Sequence, residues 1–538
     1  MKHLALLIAI MSAGSLAGCH KNEPASPITP DTPILTIPTY SYNISPIPNN
    51  QTQLCFTVNT DWEISIEYEE NNSGWLSATP MKGQAGDIEV SIIGAAYFRD
   101  VDRKAFIEIQ YGDQKQRLSI TQNGLNETTE ITSAFDPYFA AELQRRKYIS
   151  DAKHIQAKDV KNITKLYISD AATKLTSLKG IEYFHELQTL LCANNQIETL
   201  DISKNFRLAI LECGSNQLTE IDTSQNTELT ALYCENNKLS SLDISNNIEL
   251  ADLSCSFNPL KCLDISNNIK LTGLVCADNG LVSLDISHNP DLSFLGCPLN
   301  QLTSLNVSNN LALSSLLCYN NKLPSLDLTH NSQLITLNCS DNLLTSINIS
   351  NSLQVVSCHN NLLTSLNIGH CTELQTINCE NNQLSTLDIT QNQYLSRLHC
   401  SHNQLSTLDI TQNQYLTGLY CSHNQLHDID TSQNSYLHIL FCDNNYLEKL
   451  DTTKNYGLNE LDCSHNHLTE SDLTWNGKLE HFSCHNNPGN DGVFQVKAWF
   501  NNDNIPIENE NGPCFFTSGY WEYNGETIRI QYKDVWYN

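Results

Sequence analysis

A cysteine returns every 21 residues through more than half of this chain. It recurs at Cys192, Cys213 and Cys234 and onward to Cys339, steps by 19 to Cys358, and resumes its period to Cys484, fifteen positions in all. Each is preceded by Leu five residues earlier and followed by Asn three residues later, from Asn195 to Asn487. A fixed period of this length predicts stacked coils. Each coil in such a stack touches only its neighbours and encloses no central cavity, so function has to be sought on a surface.

Residues 379–399, CENNQLSTLDITQNQYLSRLH, illustrate one coil. Written from its leading Leu, the repeat is LxxLxCxxNx followed by LxxLDIxxNxx, two near-copies of one outline. Each half alternates apolar and polar residues over its LxC or LDI centre, which predicts a strand with one face inward. Two strands per coil imply two parallel sheets back to back, and coils about 4.8 Å apart give a stack roughly 70 Å long. Asn closes each half, where its side chain suits a tight turn and can bond nearby backbone. The 19-residue step drops two residues from a turn near Asn351, and Cys371 then stands where other coils have Asn, so a local irregularity is expected there. The outline resembles leucine-rich repeats of the short bacterial type, with Cys in the third apolar site. The resemblance covers residues 187–487 and implies a parallel-β solenoid.

Free Cys is readily buried as a small hydrophobe. Neighbouring coils would hold their cysteines side by side with parallel Cβ vectors, a poor match to disulfide geometry, so reduced thiols are expected. Cys55, Cys262, Cys371 and Cys514, besides Cys19, show no metal-ligand spacing, and no metal or cofactor is expected.

The start is basic at Lys2, apolar from Leu4 to Met11, and closes on Ser15-Leu16-Ala17-Gly18-Cys19. This is too short for a membrane span and reads as a signal peptide over residues 1–18. The LAGC run resembles the lipobox of bacterial lipoproteins. That resemblance implies cleavage before Cys19 and its lipidation; His20 in place of Asp favours outer-membrane sorting, and the Lys21-Asn22-Glu23 stretch resembles the acid-containing tether of lipoproteins exported to the cell surface. Residues 19–33 carry Pro24, Pro27, Pro30 and Pro33 and form an extended spacer.

Residues 34–124 switch to short β-rich runs: Leu54 to Asn59, Trp62 to Glu67, Asp87 to Ile93, Ala105 to Tyr111 and Gln116 to Gln122. That density of strands predicts a small antiparallel sandwich of immunoglobulin-like kind. The succession NTDWEISI (Asn59 to Ile66), GWLSATPMKGQAG (Gly74 to Gly86), Arg103-Lys104 and LSITQNG (Leu118 to Gly124) resembles the BACON module. The resemblance implies a carbohydrate-binding or spacer role. Trp62 and Trp75 are then candidate sugar platforms, weighed against packing in the sandwich core.

Residues 125–186 form an N-terminal cap, with helical spacing in FDPYFAAELQRRKY at residues 135–148. Residues 488–538 are the opposite cap, with a short helix expected over Val493 to Asn501 and a hairpin over Glu522 to Tyr532 around Asn524-Gly525. The fold class is therefore mainly β: an antiparallel sandwich, then a parallel-β solenoid with a helical N-terminal cap.

A formal charge of −29 repels phosphate backbones and excludes nucleic acid as a partner. The chain lacks a phosphate loop, GxSxG and HExxH, so an enzyme is not expected. At the centre of the LDI half the outward residue is Asp in eleven coils, from Asp201 to Asp472, and Asn in three, at Asn306, Asn348 and Asn367. A residue this constant cannot encode a specific ligand and reads as a solvated stripe; parallel carboxylates about 5 Å apart lack the converging oxygens calcium needs. The residue just before each Cys varies freely instead. Toward the C-terminus that column turns aromatic at His399, Tyr420 and Phe441, flanked by Arg397, Ile439 and His481. These six are the candidate ligand-binding residues, because exposed aromatic patches favour binding. The sequence thus points to a protein partner held on the solenoid, with glycan capture by the BACON-like module as the alternative.

Overall fold

The computed structural model describes residues 32–48, 51–69, 73–489 and 493–498, together with strands at 515–516, 519–522, 527–532 and 535–537. The expected signal peptide, Cys19 and the spacer up to residue 31 lie outside the described residues. The chain divides into two units, Met1–Asn126 and Glu127–Asn538.

The first unit is a sandwich. Its strands are β1 (Leu35–Thr36), β2 (Ser41–Ile44), β3 (Gln51–Val58), β4 (Trp62–Tyr68), β5 (Leu76–Thr79), β6 (Lys82–Gly83), β7 (Gly86–Gly94), β8 (Arg103–Tyr111) and β9 (Gln114–Gln122). They form two sheets, ordered β1-β3-β7-β5 and β2-β9-β8-β4-β6. The five runs read from the sequence are β3, β4, β7, β8 and β9. Their alternation turns Leu54, Val90, Ile92, Ile107, Ile109, Leu118 and Ile120 fully inward. All pairings are antiparallel except β2 with β9, which are parallel. β1 and β2 belong to different sheets, so no hairpin imposes a reversed pairing on β2.

The second unit begins with the expected helix, α1 (Pro137–Arg145), followed by α2 (Ala157–Lys161). Asp136 caps α1 by accepting from the Tyr138 and Phe139 amides, with Pro137 in the first turn where its missing N–H costs nothing. Phe135, Phe139, Tyr183 and Phe184 pack ring against ring beneath it. The first strand of the solenoid, β10 (Lys165–Tyr167), would present bare carbonyls at its edge. Arg146 covers them, donating to Tyr167 O at 2.8 Å and Ser169 O at 2.7 Å, while buried Glu142 holds Arg145 and Arg146 in place.

Fifteen three-residue strands follow, from Thr189–Leu191 to His481–Ser483, in one parallel sheet. The register advances by one period per strand, as in Leu190↔Leu211. Only at Leu337↔Val356 does it shorten, and the two missing residues come out of the turn after Asn348. Cys371 fills the place of the absent Asn and donates its thiol to Ser350 O at 3.2 Å. The fifteen periodic cysteines are buried, and none is in a disulfide. Burial pushes the fourteen from Cys192 to Cys463 up, Cys255, Cys297 and Cys358 to about 12.

The Asn after each Cys, except Asn279, is a bracket between coils; Asn279 Nδ2 donates only to Ala277 O and its Oδ1 has no partner. Asn382 Nδ2 donates to Cys358 O of the preceding coil at 3.0 Å and to its own Cys379 O and Glu380 O at 3.1 Å, while its Oδ1 accepts the Leu363 amide at 3.0 Å. One feature of this turn escaped the sequence. The residue two after each of the fifteen cysteines has a left-handed backbone, φ 49° to 57°, including Phe257 and Leu299, whose side chains disfavour it.

The expected second sheet does not form along the stack. Among the described residues the LDI side pairs as strands only at Ser325–Asp327 with Ser346–Asn348, and at the C-terminal end from Glu470–Asp472 onward. Side chains have replaced the ladder. Asp222 Oδ1 accepts the Ser224 amide at 2.9 Å, and Asn226 Nδ2 donates to Ile202 O at 3.1 Å and Asn205 O at 2.8 Å. Where the central Ile is Thr, as at Thr223, the hydroxyl reaches the next Asn Oδ1, here Asn247 at 2.7 Å. With donors and acceptors so engaged, the backbone stays extended without pairing.

The C-terminal cap also differs from expectation. Val493–Ala498 is a strand, not a helix, with Phe494 and Val496 alternating inward. The turn of the expected hairpin, at Asn524-Gly525, lies outside the described residues, and its described flanks do not pair with each other. Gly519–Glu522 joins the long sheet beside His481–Ser483, whereas Thr527–Tyr532 pairs with Val493–Ala498 in another sheet.

Candidate interaction face

The long sheet carries two outward residues per strand, on either side of an inward Leu or its equivalent. His399, Tyr420 and Phe441 occupy one column in direct register, and Arg397, Gly418 and Ile439 the other. The structure brings the three rings into one row. His399 and Tyr420 stack with centroids 4.1 Å apart and 6° between planes, and Phe441 meets Tyr420 edge-on at 5.3 Å. Gly418 makes this possible: a Cβ there would sit 3.3 Å from the Tyr420 ring, so the missing side chain lets the ring lie over the sheet.

Electrostatics follow from that packing. Burial holds the His399 imidazole below its ordinary value, Glu380 opposing while Arg397 and His359 add to it. Burial raises Tyr420, reinforced by Glu460. His481 lies further along the same sheet, where it borders a shallow depression of about 290 Å³ with Phe441, Glu460, Asp462 and Ser483. The sequence reading did not single out Gly418, Glu460, Asp462 or Ser483. A small residue beside a large one in adjacent columns was the available signal.

Trp62 and Trp75 are elsewhere and inside. They are 3% and 4% exposed in the sandwich core, with Phe56 edge-on to Trp62 and the Arg103 guanidinium over the Trp75 ring at 4.4 Å. Core packing, not a sugar platform, describes both rings. Tyr394, Tyr415 and Tyr436 form an exposed ladder at the turn before the strands, with centroids 6.2 and 6.5 Å apart.

The constant Asp column is solvent-exposed, as expected, and it is also a turn device. Asp388, Asp409 and Asp430 each accept the amide two residues on at 2.9 to 3.0 Å, and Asn306 does the same at 3.0 Å, so the shared requirement is the Oδ1 acceptor and not the charge. Hydrogen bonds from Thr390, Thr411 and Ser432 hold the three carboxyls below their ordinary value of 3.8. Depressed carboxyls contribute stability that is complete above that value and is lost as pH falls through the lower folded one. Converting all three to Asn is therefore expected to leave the melting temperature at pH 7 nearly unchanged and to make its decline below about pH 4 shallower. Converting them to Ala lowers it at every pH. Thermal melts from pH 7 to pH 2 check both; equal behaviour of the two triple variants would refute the acceptor role.

The repeat outline, the inward cysteines and the two Asn brackets define a leucine-rich-repeat solenoid, which follows a β-sandwich in the sequence. Residues 35–125 match the family model described as the viral BACON domain. The functional domain of InlJ from Listeria monocytogenes, described as including a cysteine ladder, aligns at 32% identity and TM-score 0.63, over 69% of this chain and 83% of that one. The chain belongs to the leucine-rich-repeat proteins with a cysteine ladder. The internalin InlF from Listeria monocytogenes strain 4b F2365 aligns at 19% identity and TM-score 0.40, over 66% of this chain and 91% of its own. YopM from Yersinia enterocolitica WA-314 aligns at 19% identity and TM-score 0.41, over 70% and 93%. No curated protein sequence matches the chain.

Proposed function

We propose that this protein is a lipid-anchored interaction scaffold of the outer membrane, facing the cell surface and holding a protein partner on its variable sheet. In this reading Cys19 carries the lipid, the Pro-rich segment and the BACON-like module are spacers, and the chain performs no catalysis. The observation that carries the reading is the continuous row His399, Tyr420 and Phe441, standing on a sheet whose outward residues change from coil to coil over a constant frame. Constant coils with variable outward positions are how repeat proteins build extended binding surfaces.

Two experiments test the two halves of this proposal. A photo-crosslinking residue in place of Tyr420 is expected to capture a partner, and the same residue in place of Tyr415, at the turn, is not; capture from Tyr415 alone would move the working surface to the turns. For the anchor, Cys19→Ser is expected to move the protein from the detergent phase to the aqueous phase on partitioning. Retention in detergent would end the lipoprotein reading.

A further inference from the structure

We propose that the depression at the C-terminal end of the variable sheet receives a cationic side chain, an arginine or lysine presented by the partner. This rests on the preceding reading and names the chemistry of what docks there. Four observations converge on it. Glu460 and Asp462 lie on one strand, their side chains on the outward face, and both border the depression. Neither is paired with a lysine or arginine among the described residues; one oxygen of Asp462, Oδ1, accepts from Ser464 N at 2.9 Å and Ser464 Oγ at 2.6 Å. Ser483 borders the same space at 8% exposure, and its hydroxyl has no partner among the described residues. An unpartnered buried hydroxyl is costly to keep unless a ligand group meets it.

The apolar wall is the fourth. Phe441, held edge-on by Tyr420, offers a ring beside two carboxylates, an arrangement that suits a guanidinium or ammonium through charge and ring quadrupole together. His481 borders the other side. The row is polar along its length: Arg397 and His399 stand at the far end, three coil spacings or about 14 Å from the Glu460 strand. A basic residue of the partner is thus directed to the Glu460 end and away from Arg397, and the net charge of −29 draws it in.

The test uses the full chain and two synthetic tripeptides, acetyl-Gly-Arg-Gly-amide and the same peptide with uncharged citrulline for arginine, followed by ligand-observed saturation-transfer NMR. The arginine peptide is expected to bind at least tenfold more tightly than the citrulline peptide. A Glu460→Gln, Asp462→Asn double variant should lose that tenfold. The Asn retains the turn acceptor, as Asn338 does in its own coil by accepting from Ser340 N at 3.1 Å. An Asp388→Asn, Asp409→Asn variant removes as much charge from the other side of the coils and should bind like the parent. No binding of the arginine peptide, equal binding of both peptides, or equal losses in the two variants would overturn the proposal. Should that happen while a crosslinker at Tyr420 still captures a partner, the face stands and only its cationic occupant falls; failure of both removes the face itself.

Discussion

Replacing Asn382 with alanine is expected to lower the stability of the solenoid by about 1 to 3 kcal/mol, the cost of the one buried backbone group that it leaves without a partner. That group is the Leu363 amide; the carbonyls of Cys358, Cys379 and Glu380 each lose one donor but keep another, from Asn361, Asn403 and the Asn360 amide, and the side chain that serves all four is 8% exposed. Asn382→Asp should be at least as damaging at neutral pH, since a carboxylate would face those carbonyls with no proton to give. Glu380, two residues away and half-buried on the outward side, reaches the next coil with its side chain only through a long 3.9 Å contact to His399 Nδ1. Glu380→Ala should therefore stay within about 0.5 kcal/mol of the parent. Since each coil rests only on its neighbours, the break is also expected to loosen the coupling between the coils before and after it, broadening the unfolding transition or splitting it in two. Urea melts followed by circular dichroism would show this. Similar shifts for Asn382→Ala and Glu380→Ala would mean that the bracket is not what joins the coils.

That bracket was legible in the sequence because a residue needed for backbone bonding must recur with the period, whatever the outward residues do. The same logic revealed the inward cysteines, the sandwich strands with their alternating apolar residues, and the cap helix with Asp136 and Pro137 at its start. What the sequence concealed was which partner each polar group would choose. An LDI run looks like a strand, yet Asp222 takes the Ser224 amide and Asn226 takes the Ile202 carbonyl, and the pairing that would make a sheet is lost. The left-handed residue after each cysteine was hidden for another reason: Asn, Ser, His, Asp, Phe and Leu all occupy it, so its backbone is imposed by the coil and not by residue type. At Val493–Ala498 the short VFQVKA run fits both periods by eye, and pairing with the Glu470–Asp472 edge decided for strand. As for the interaction face, the register of His399, Tyr420 and Phe441 could be counted from the period. Their contact could not, because it depends on Gly418 leaving room for the Tyr420 ring.

Serine in place of all three of these residues is expected to weaken partner binding by more than about 2 kcal/mol, roughly thirtyfold in Kd, since half-buried aromatics in a contiguous surface row are typical hot spots. The same change should move the melting temperature little. The three side chains stack on one another above the sheet, while the coil's own core is Leu398, Leu419 and Leu440 beneath, all fully buried. Some loss is inherent, because the rings shield part of the strand backbone and Tyr420 covers Gly418. It should remain well below the cost of emptying one of those leucine sites, which runs to about 2 to 5 kcal/mol. The Asp388→Asn, Asp409→Asn, Asp430→Asn variant serves as the control, since it alters the opposite side of the same coils while keeping their turns. Titrating the captured partner against parent, aromatic triple and Asn triple separates the two sides. If binding survives the aromatic triple and falls with the Asn triple, recognition is electrostatic and lies on the constant column, and the stacked rings are only neighbours left by coil duplication.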